Sequence, residues 1–491
     1  MNLYSHRSQA ATEYLMTYGW AFLIIAIVAA ILISLGVFSP SPSSTVTGFT
    51  SFTSASASVS KTNGLVLTLT NTNPNTIYLT NVSLSSSSGL KIGKIIVLAK
   101  LGSYSSSNPF LLLYYNNSQI TNLSIPSGQS FTIIISNVSA YSSYSTQATI
   151  TYYVNGIPQS STGTISGTPV SSSLVPYFAT ITITNTQNVA TPSPFQQMIN
   201  VSSSSPVWSY INTNQTSAFG QNVEFVSSSG TVIPSWLESY STTHAIWWIK
   251  IGSIPANSKL TIYMIIAPKS TNLFNGVTVG EAPQLSPTYG EYDNGANVFN
   301  YYWNFAGTSL PRGFAEIGNG GTVTVNNSIT LAPGSSYVDV YYNKTISTPS
   351  IVETYVIRDS ASDAAVFFSE NDITLTPSSG ANIYNGYIGG YAAGTTEELW
   401  IDKGGSYSAL VTGISSIYPS VISLIWGMNG NENVAIDYSH LITSSNNTFS
   451  VGSYLVGLTS YNHGTAPSVS YQWLRVRAYP PNGVMPSVSI G

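Results

Sequence analysis

The sequence has no cysteine and few charged residues. Without cysteine the chain has no disulfide, no thiol nucleophile and no cysteine-ligated metal. Charged residues make up 7% of the 491 positions, against roughly 25% in ordinary globular proteins. The net charge is −4 and no basic run occurs, so the sequence lacks the electrostatic footprint of a nucleic-acid-binding protein. Nucleic acid is therefore excluded as a predicted partner.

Apolar and hydrogen-bonding side chains take the place of charges. Hydrophobic residues reach 43% and aromatic residues 12%, a content that favours buried cores over disorder. A chain of this length exceeds what one hydrophobic core can hold, so we expect several domains.

One long uncharged run lies near the N-terminus. No residue from Tyr14 to Phe38 is charged, and the next charge along the chain is Lys61. A helix of about 20 apolar residues spans the hydrocarbon core of a bilayer, and Arg7 before the run favours a cytoplasmic N-terminus. The run predicts a single-pass cell-membrane protein with an extracellular C-terminal tail. The alternative is a buried core helix.

The segment HRSQAATEYLMTYGWAFLIIAIV resembles an archaeal class III signal peptide, the type found on type IV pilin-like proteins. The resemblance implies that a prepilin peptidase cuts after Arg7 and Ser8, so that Gln9 becomes the new N-terminus. It also implies that Glu13 pairs with the N-terminal amino group of a neighbouring pilin-like subunit. The residues alone leave a second interpretation open, in which Glu13 lies among the headgroups because an unpaired carboxylate is costly inside a bilayer.

Two regions of different composition follow the apolar run. Residues 39–60 are rich in Ser and Thr, which predicts a flexible, glycosylated stalk. Residues 46–168 contain short segments that alternate apolar and polar side chains, such as Leu65, Leu67 and Leu69 on one face. This alternation predicts a β-sandwich, and the region loosely resembles the head domain of archaeal pilins.

Residues 174–282 resemble domain of unknown function 2341, a small β family of prokaryotic surface proteins. The matching features are Val223-Glu224-Phe225, Pro234-Ser235-Trp236-Leu237-Glu238, the strand Ala245 to Ile251, and Ile254-Pro255-Ala256. Within that strand Trp247 and Trp248 point to opposite faces. We expect one of them in a core and the other at a domain junction.

The final region, residues 283–491, resembles a concanavalin/laminin-G-like jelly roll, with 471–477 as its last strand. Alternating residues at 322–325, 337–342 and 352–357 independently favour an antiparallel sandwich. The predicted fold class is all-β, with several β-sandwich or jelly-roll domains in tandem behind one transmembrane α-helix within residues 1–38.

The sequence contains no recognisable catalytic motif. Its histidines are His6, His244, His440 and His463, and none forms part of an HExxH or HxH motif. Glu291 and Asp293 come nearest to the paired carboxylates of a glycosidase, but they adjoin an Asn-Gly turn. We predict no enzyme activity and no cofactor, apart from the calcium considered next.

A group of acids in the last region is a candidate structural calcium site: Asp293, Asp359, Asp363 and Asp372. Calcium takes about six to eight oxygen ligands, and these acids do not form an EF-hand loop. They are either calcium ligands or ordinary solvated loop acids.

The closing strand carries a candidate ligand stripe made of Trp473, Arg475, Arg477 and Tyr479. Alternate residues of a strand share a face, and an aromatic and arginine stripe can stack on sugars or bind acidic glycans. The other interpretation is that the arginines pair with the domain's own acids.

Candidate N-glycosylation sequons are spread over all three β regions and fit a surface glycoprotein. They begin at Asn81, Asn116, Asn122, Asn137, Asn200, Asn214, Asn326, Asn343 and Asn446.

These features together predict a membrane-anchored or filament-associated archaeal cell-surface protein that is pilin-like and acts in adhesion or glycan binding. Two alternatives stay open. One is a purely structural envelope glycoprotein, and the other, which the missing paired acids disfavour, is a secreted glycan-acting hydrolase.

Overall fold

The computed structural model describes residues 44–491 except 63, 86–87, 105, 116–117, 172–175, 215–218, 319, 359–361, 371–384, 394, 428–431 and 465–467. The predicted processing residues Arg7, Ser8 and Gln9, the pairing residue Glu13 and the apolar run lie outside these residues. Within the described ranges, no helix combines the length and apolar composition that crossing a bilayer requires.

The described regular structure is almost entirely β-strand, which confirms the all-β prediction. The exceptions are one four-residue helix, α1 (Gly295–Val298), and two short 3-10 turns at Pro206–Tyr210 and Pro481–Gly483. The strands form three consecutive sandwiches, each with a pair of main sheets.

The first sandwich covers residues 45–167. Its strands are β1 (Thr45–Thr47), β2 (Phe52–Val59), β3 (Leu65–Asn71), β4 (Ile77–Leu84), β5 (Leu90–Ile92), β6 (Val97–Leu101), β7 (Leu111–Tyr115), β8 (Ser118–Gln119), β9 (Leu123–Ile125), β10 (Ser130–Ile135), β11 (Val138–Ala140), β12 (Tyr144–Val154) and β13 (Ile157–Gly167). Sheet 1a has the order β1-β13-β12-β4-β9, and sheet 1b has the order β2-β3-β10-β6-β7-β8. As predicted, Leu65, Leu67 and Leu69 share the core between them.

The second sandwich covers residues 177–281 and adds a strand from the end of the chain. Its strands are β14 (Tyr177–Asn185), β15 (Phe195–Ser202), β16 (Val223–Ser227), β17 (Val232–Ile233), β18 (Ser235–Tyr240), β19 (His244–Ile251), β20 (Ser258–Ile266), β21 (Val279–Glu281) and β37 (Ser487–Ile490). Sheet 2a has the order β17-β16-β20-β14-β37, and sheet 2b has the order β15-β19-β18-β21.

The third sandwich is the largest. Its strands are β22 (Tyr301–Trp303), β23 (Phe314–Gly318), β24 (Thr322–Val325), β25 (Ile329–Ala332), β26 (Tyr337–Ser347), β27 (Ser350–Arg358), β28 (Ala364–Ser369), β29 (Gly386–Ala392), β30 (Thr396–Lys403), β31 (Ser406–Ser415), β32 (Ser420–Trp426), β33 (Glu432–Ile436), β34 (His440–Ser444), β35 (Ser453–Tyr461) and β36 (Val469–Ala478). Sheet 3a has the order β24-β25-β36-β27-β32-β33-β34, with β22 also on β36. Sheet 3b has the order β23-β26-β35-β28-β29-β30-β31.

Neighbouring sandwiches pack sheet against sheet. Val66 and Ile134 of sheet 1b belong to the same apolar cluster as the second sandwich, so sheet 1b is buried on both faces. Sheets 2b and 3a meet through a cluster that includes Trp236, Trp248 and Trp473. Among the described residues, no sandwich packs on the outer face of sheet 3b in this way, and part of that face is accessible.

The tryptophan prediction is confirmed, since Trp247 lies in the core of the second sandwich and Trp248 lies at the junction with the third. The chain end differs from the expectation that 283–491 form one domain. Strand β37 pairs with β14, with Ile181 opposite Ile490 and Ile183 opposite Val488. Apolar residues at alternate positions let this strand extend the second sandwich rather than the third.

Candidate functional site

The predicted ligand stripe on β36 lies at the junction between the second and third sandwiches. Trp473 and Arg475 are fully buried, and Arg477 is 4% exposed. Sheet 3a is covered on one face by its own core and on the other by sheet 2b, so both faces of β36 are buried. Only Tyr479 is half-buried, beside a small cleft at the edge of the junction. Trp473 and Arg475 are therefore inaccessible to a ligand, whereas Arg477 and Tyr479 line that cleft.

The two arginines of the stripe pair with acids, as the other interpretation held. Arg475 lies 2.7 Å from Glu238 and 2.7 Å from Glu353, and Arg477 lies 2.9 Å from Glu353. Burial by itself raises the pKa of Glu353, but the two guanidinium groups outweigh burial and lower the pKa to about 2. The cluster joins the second and third sandwiches, because Glu238 belongs to one and Arg475 to the other.

The structure describes two of the four candidate calcium ligands, Asp293 and Asp363. Asp359 and Asp372 lie outside the described residues. Asp293 accepts hydrogen bonds from Trp236, Tyr302, Asn304 and the Gly295 backbone N–H, so donors already surround both of its oxygens. Among the described residues, no group of three or more His, Asp or Glu side chains is arranged to hold a metal ion.

Asp363, the remaining calcium candidate, lies in an open groove of about 300 Å³ on the outer face of sheet 3b. The lining side chains are Tyr337, Asp363, Ala365, Ile388, Ala392, Glu398, Trp400, Tyr407, Thr459, Tyr461 and His463. The side chains of Tyr337, Trp400, Tyr407 and Tyr461 are half-buried. Their rings are therefore packed in place while part of each stays available to a ligand.

Strand β30 supplies one wall of the groove by strict alternation. Leu399 and Ile401 point into the core, so Glu398, Trp400 and Asp402 point outward. Trp400 hydrogen-bonds the Glu398 carboxylate, and Tyr407 of the adjacent β31 hydrogen-bonds Asp402. The aromatic side chains thus orient the acids beside them.

The opposite wall joins residues that are distant in sequence. His463 Nε2 lies 2.6 Å from Asp363 Oδ1, and the backbone N–H of Ala393 donates to the same oxygen at 2.8 Å. The rings of Tyr337 and Tyr461 lie 4.5 Å apart, and Tyr337 stacks on Tyr407 at 5.1 Å and 14°. These contacts make a continuous aromatic wall with an acid at its end.

Small residues form part of the base of the groove. Ala365 of β28 pairs with Gly390 of β29, which pairs with Glu398. A Cβ at Gly390 would lie 2.1 Å from the carbonyl oxygen of Ala364, so the close approach of these strands requires glycine. These small residues therefore leave space between the larger side chains that line the groove.

Two acids, Asp363 and Glu398, and one base, His463, are among the side chains that line the groove. Burial raises the pKa of Asp402 to about 6. Burial, with a further contribution from the charge of Asp363, raises the pKa of Glu398. The described residues that line the groove include no lysine or arginine.

Sequence reasoning missed this groove, although part of its signal was present. Glu398-Leu399-Trp400-Ile401-Asp402 alternates polar or aromatic residues with apolar ones, which indicates an outward face carrying two acids and a tryptophan. The pairing of Asp363 with His463 has no local signal, because a hundred positions separate them.

The sequon asparagines differ in exposure. Those with exposed side chains are Asn122, Asn137, Asn200, Asn214, Asn326 and Asn343, whereas Asn81 and Asn446 are half-buried and Asn116 lies outside the described residues. The Asn446 amide oxygen accepts a hydrogen bond from Tyr387 at 2.8 Å.

The fold and the groove define a tandem β-sandwich protein whose last sheet carries an acidic aromatic groove. Residues 219–282 match the family model of a domain of unknown function, DUF2341, which confirms that part of the resemblance seen in the sequence. The chain is also 29% identical over 352 residues to uncharacterized protein 562 of Sulfolobus islandicus rod-shaped virus 1. That match covers 63% of this chain and 58% of the viral protein, less than two thirds of the relative's length.

Several solved structures are similar to about a third of the chain. A galectin-like protein of unknown function from Bacillus subtilis has a TM-score of 0.30 and 14% identity, covering 37% of this chain and 96% of its own. A legume lectin-like domain from Entamoeba histolytica has a TM-score of 0.27 and 13% identity, covering 34% and 90%. A family 16 endo-glucanase from Bacteroides ovatus has a TM-score of 0.28 and 9% identity, covering 36% and 99%. At these TM-scores the likenesses carry no functional argument.

Proposed function

We propose that the third sandwich binds a glycan in the groove of sheet 3b, as part of a protein displayed on a cell surface. The observation that carries this proposal is the grouping of Tyr337, Tyr407, Tyr461 and Trp400 around Asp363 and Glu398 in one open groove. Aromatic rings cover the apolar C–H faces of a sugar, and carboxylates accept hydrogen bonds from its hydroxyl groups. The two kinds of contact together fit a polyhydroxylated ring.

Binding without hydrolysis is the activity that we assign to the groove. A glycosidase needs one carboxylic acid that donates a proton and a second carboxylate on the other side of the scissile bond. Asp363 already accepts hydrogen bonds from the Ala393 N–H and pairs with His463, and Glu398 is bonded to Trp400. Release of reducing ends from a bound polysaccharide would instead support the hydrolase alternative.

The test is a glycan array probed with the full chain, followed by calorimetry on any ligand found. Replacing Trp400 or Tyr407 by alanine removes a stacking ring, so each variant should bind about fivefold more weakly, from roughly 1 kcal/mol per aromatic contact. Tyr141→Ala is the matched control, because Tyr141 is 77% exposed on the first sandwich. Loss of binding in the control, or full binding in both groove variants, would place the ligand elsewhere. Absence of any glycan ligand would favour the purely structural envelope glycoprotein.

Display at the surface is the second half of the proposal, and it rests on the apolar run from Tyr14 to Phe38. The full chain should sediment with membranes or surface filaments, and a variant that starts at residue 44 should not. Intact-mass measurement of the native protein should give an N-terminus at Gln9. A chain that still begins at Met1 would contradict the pilin-like processing, and a soluble full-length chain would contradict anchoring.

A further inference from the structure

We propose that the groove of sheet 3b selects glycans that carry a free amino group over neutral and acidic ones. This inference rests on the proposed glycan binding and names the chemical class of the ligand.

The first argument is the charge of the lining. Asp363 and Glu398 line the groove, His463 is the base among the lining residues, and no lysine or arginine joins them in the described part of the chain. The arginines of the same sandwich, Arg475 and Arg477, are buried at the opposite sheet in ion pairs. An acidic sugar would therefore meet carboxylates with no guanidinium to pair with it, whereas an ammonium group meets complementary charge.

The second argument is the pairing of the two acids. Asp363 already has a partner, since its Oδ1 lies 2.6 Å from the Nε2 of His463. Glu398 is hydrogen-bonded by Trp400, and the repulsion from Asp363 acts against its ionised form, with a smaller opposing effect of His463. A ligand ammonium beside Glu398 would relieve that repulsion, and a neutral hydroxyl would not.

The third argument is the aromatic wall. The face of an aromatic ring carries negative electrostatic potential and attracts cations, most strongly for tryptophan and where water is excluded. Trp400 stands next to Glu398 on β30, and the packed rings of Tyr337, Tyr407 and Tyr461 continue the wall. A cationic sugar gains from ring faces and carboxylate together, so each contact adds to the same preference.

The experiment compares four β-1,4-linked hexamers of the same length, which differ only in their substituents. They are oligomers of glucose, glucosamine, N-acetylglucosamine and glucuronic acid, titrated into the full chain at pH 6, where the ligand amines are protonated. The glucosamine hexamer should bind at least about tenfold more tightly than the glucose and N-acetylglucosamine hexamers, and the glucuronic acid hexamer should bind most weakly. Raising the salt concentration should reduce the difference, because it screens the charges.

The variant Glu398→Gln keeps the shape of the side chain and its capacity to accept a hydrogen bond. In this variant the glucosamine hexamer should bind at most about threefold more tightly than the glucose hexamer, and the glucose hexamer should still bind. Asp363→Asn provides a second variant in case the first changes the fold, and circular dichroism checks both. Glu316→Gln is the matched control, since Glu316 is an exposed acid on strand β23 of the same sheet.

The outcomes separate the inference from the proposed function. Equal binding of the amine and neutral hexamers, or tighter binding of the glucuronic acid hexamer, overturns the charge selectivity and leaves glycan binding intact. An amine preference that survives undiminished in both variants also overturns it, because the cation is then held outside the groove. Binding to none of the four hexamers by a protein that binds another glycan on the array overturns it as well. If the array and the hexamers both give no binding, the proposed function itself fails.

Discussion

Arg475 is fully buried between two sandwiches, yet two carboxylates and several aromatic rings beside it favour its charged form. It pairs with Glu238 and Glu353. Its guanidinium carbon also lies 4.5 Å from the ring of Trp473 and 4.4 Å from that of Phe299. A buried ion is tolerated only with such partners, and removing one partner leaves an uncompensated charge. Although the chain has few ionisable side chains, several of them are buried.

Arg475→Met should lower the free energy of unfolding of the junction by about 3–5 kcal/mol. The reason is that Glu238 loses its buried cationic partner and Glu353 loses one of two. Urea unfolding followed by tryptophan fluorescence measures the change, since Trp236, Trp248 and Trp473 lie at this junction. Arg312→Met is the control, as Arg312 is exposed, and it should leave the midpoint unchanged. Equal midpoints for the two variants would show that the ion pairs contribute nothing net.

Glu224 and Lys100 form a second buried pair of ionisable side chains, between the first and second sandwiches. Glu224 accepts a hydrogen bond from the Phe110 N–H at 2.9 Å. Lys100 bonds to backbone oxygens, including that of Tyr104 at 3.3 Å, and lies over the Phe110 ring. Burial raises the pKa of Glu224 to about 8, against the smaller effects of the Phe110 N–H and Lys100. Burial also lowers the pKa of Lys100 to about 8, although Glu224 opposes the shift.

The raised pKa of Glu224 sets a pH dependence of stability. Between about pH 4.5 and 8 the folded chain holds a proton that the unfolded chain releases, so stability falls as the pH rises, by at most about 1.4 kcal/mol per pH unit. Glu224→Gln keeps an acceptor for the Phe110 N–H and should reduce this slope, most clearly between pH 7 and 8, because burial raises the pKa of Glu281 and Glu432 only to about 7. Urea midpoints from pH 5 to 8 measure the slope, with Glu316→Gln, an exposed acid, expected to retain the wild-type slope. An unchanged slope between pH 7 and 8 in Glu224→Gln would assign the titration there to another group.

At the scale of single elements, β37 shows how the chain end protects a sheet edge. It covers the free edge of β14, and the backbone of Gly491 bonds that of Thr180 in both directions. The Gln197 side chain also donates to the Pro486 carbonyl oxygen. An uncovered edge strand is a template for pairing with another chain.

A chain truncated after Pro486 should therefore associate more readily and unfold at a lower temperature than the full chain. Size-exclusion chromatography over a range of concentrations and thermal unfolding measure the two effects. Val488→Thr is a milder variant, which keeps the strand but weakens its half-buried contact with the second sandwich. A truncated chain that stays monomeric and equally stable would show that β37 is dispensable.

Strand β30 shows how one alternating segment serves core and surface together. Its odd-numbered residues Leu399 and Ile401 fill the third core, while Glu398 and Trp400 line the groove. The strand that binds the proposed ligand is thus fixed by the packing on its other face. A site built on a sheet in this way is held more rigidly than one built on loops.

At the scale of the whole molecule, glycosylation should follow exposure rather than sequon count. Asn122, Asn200, Asn326 and Asn343 have exposed side chains, whereas Asn446 is half-buried and bonded to Tyr387. Glycopeptide mass spectrometry of the native protein should find glycan at the exposed group and none at Asn446. Glycan found on all copies of Asn446 would contradict the prediction. It would mean that this part of the third sandwich is accessible when the glycan is attached.

The amino-acid sequence by itself determined the all-β fold class, because alternation at segments such as 148–153 and 322–325 is a local property that survives any arrangement of the sheets. It also determined the opposite roles of Trp247 and Trp248, since neighbouring side chains on a strand must point apart.

Only the tertiary structure decided which outward faces meet water. The same alternation that gives β36 an apparent surface stripe gives β30 a groove wall. The difference is that sheet 2b covers sheet 3a, whereas no sandwich within the described ranges covers the outer face of sheet 3b. Likewise the pairing of Asp363 with His463, and of Arg475 with Glu238, joins residues far apart in the chain. Contacts of that kind depend on how whole sheets pack, and no pattern in a short window of sequence records them.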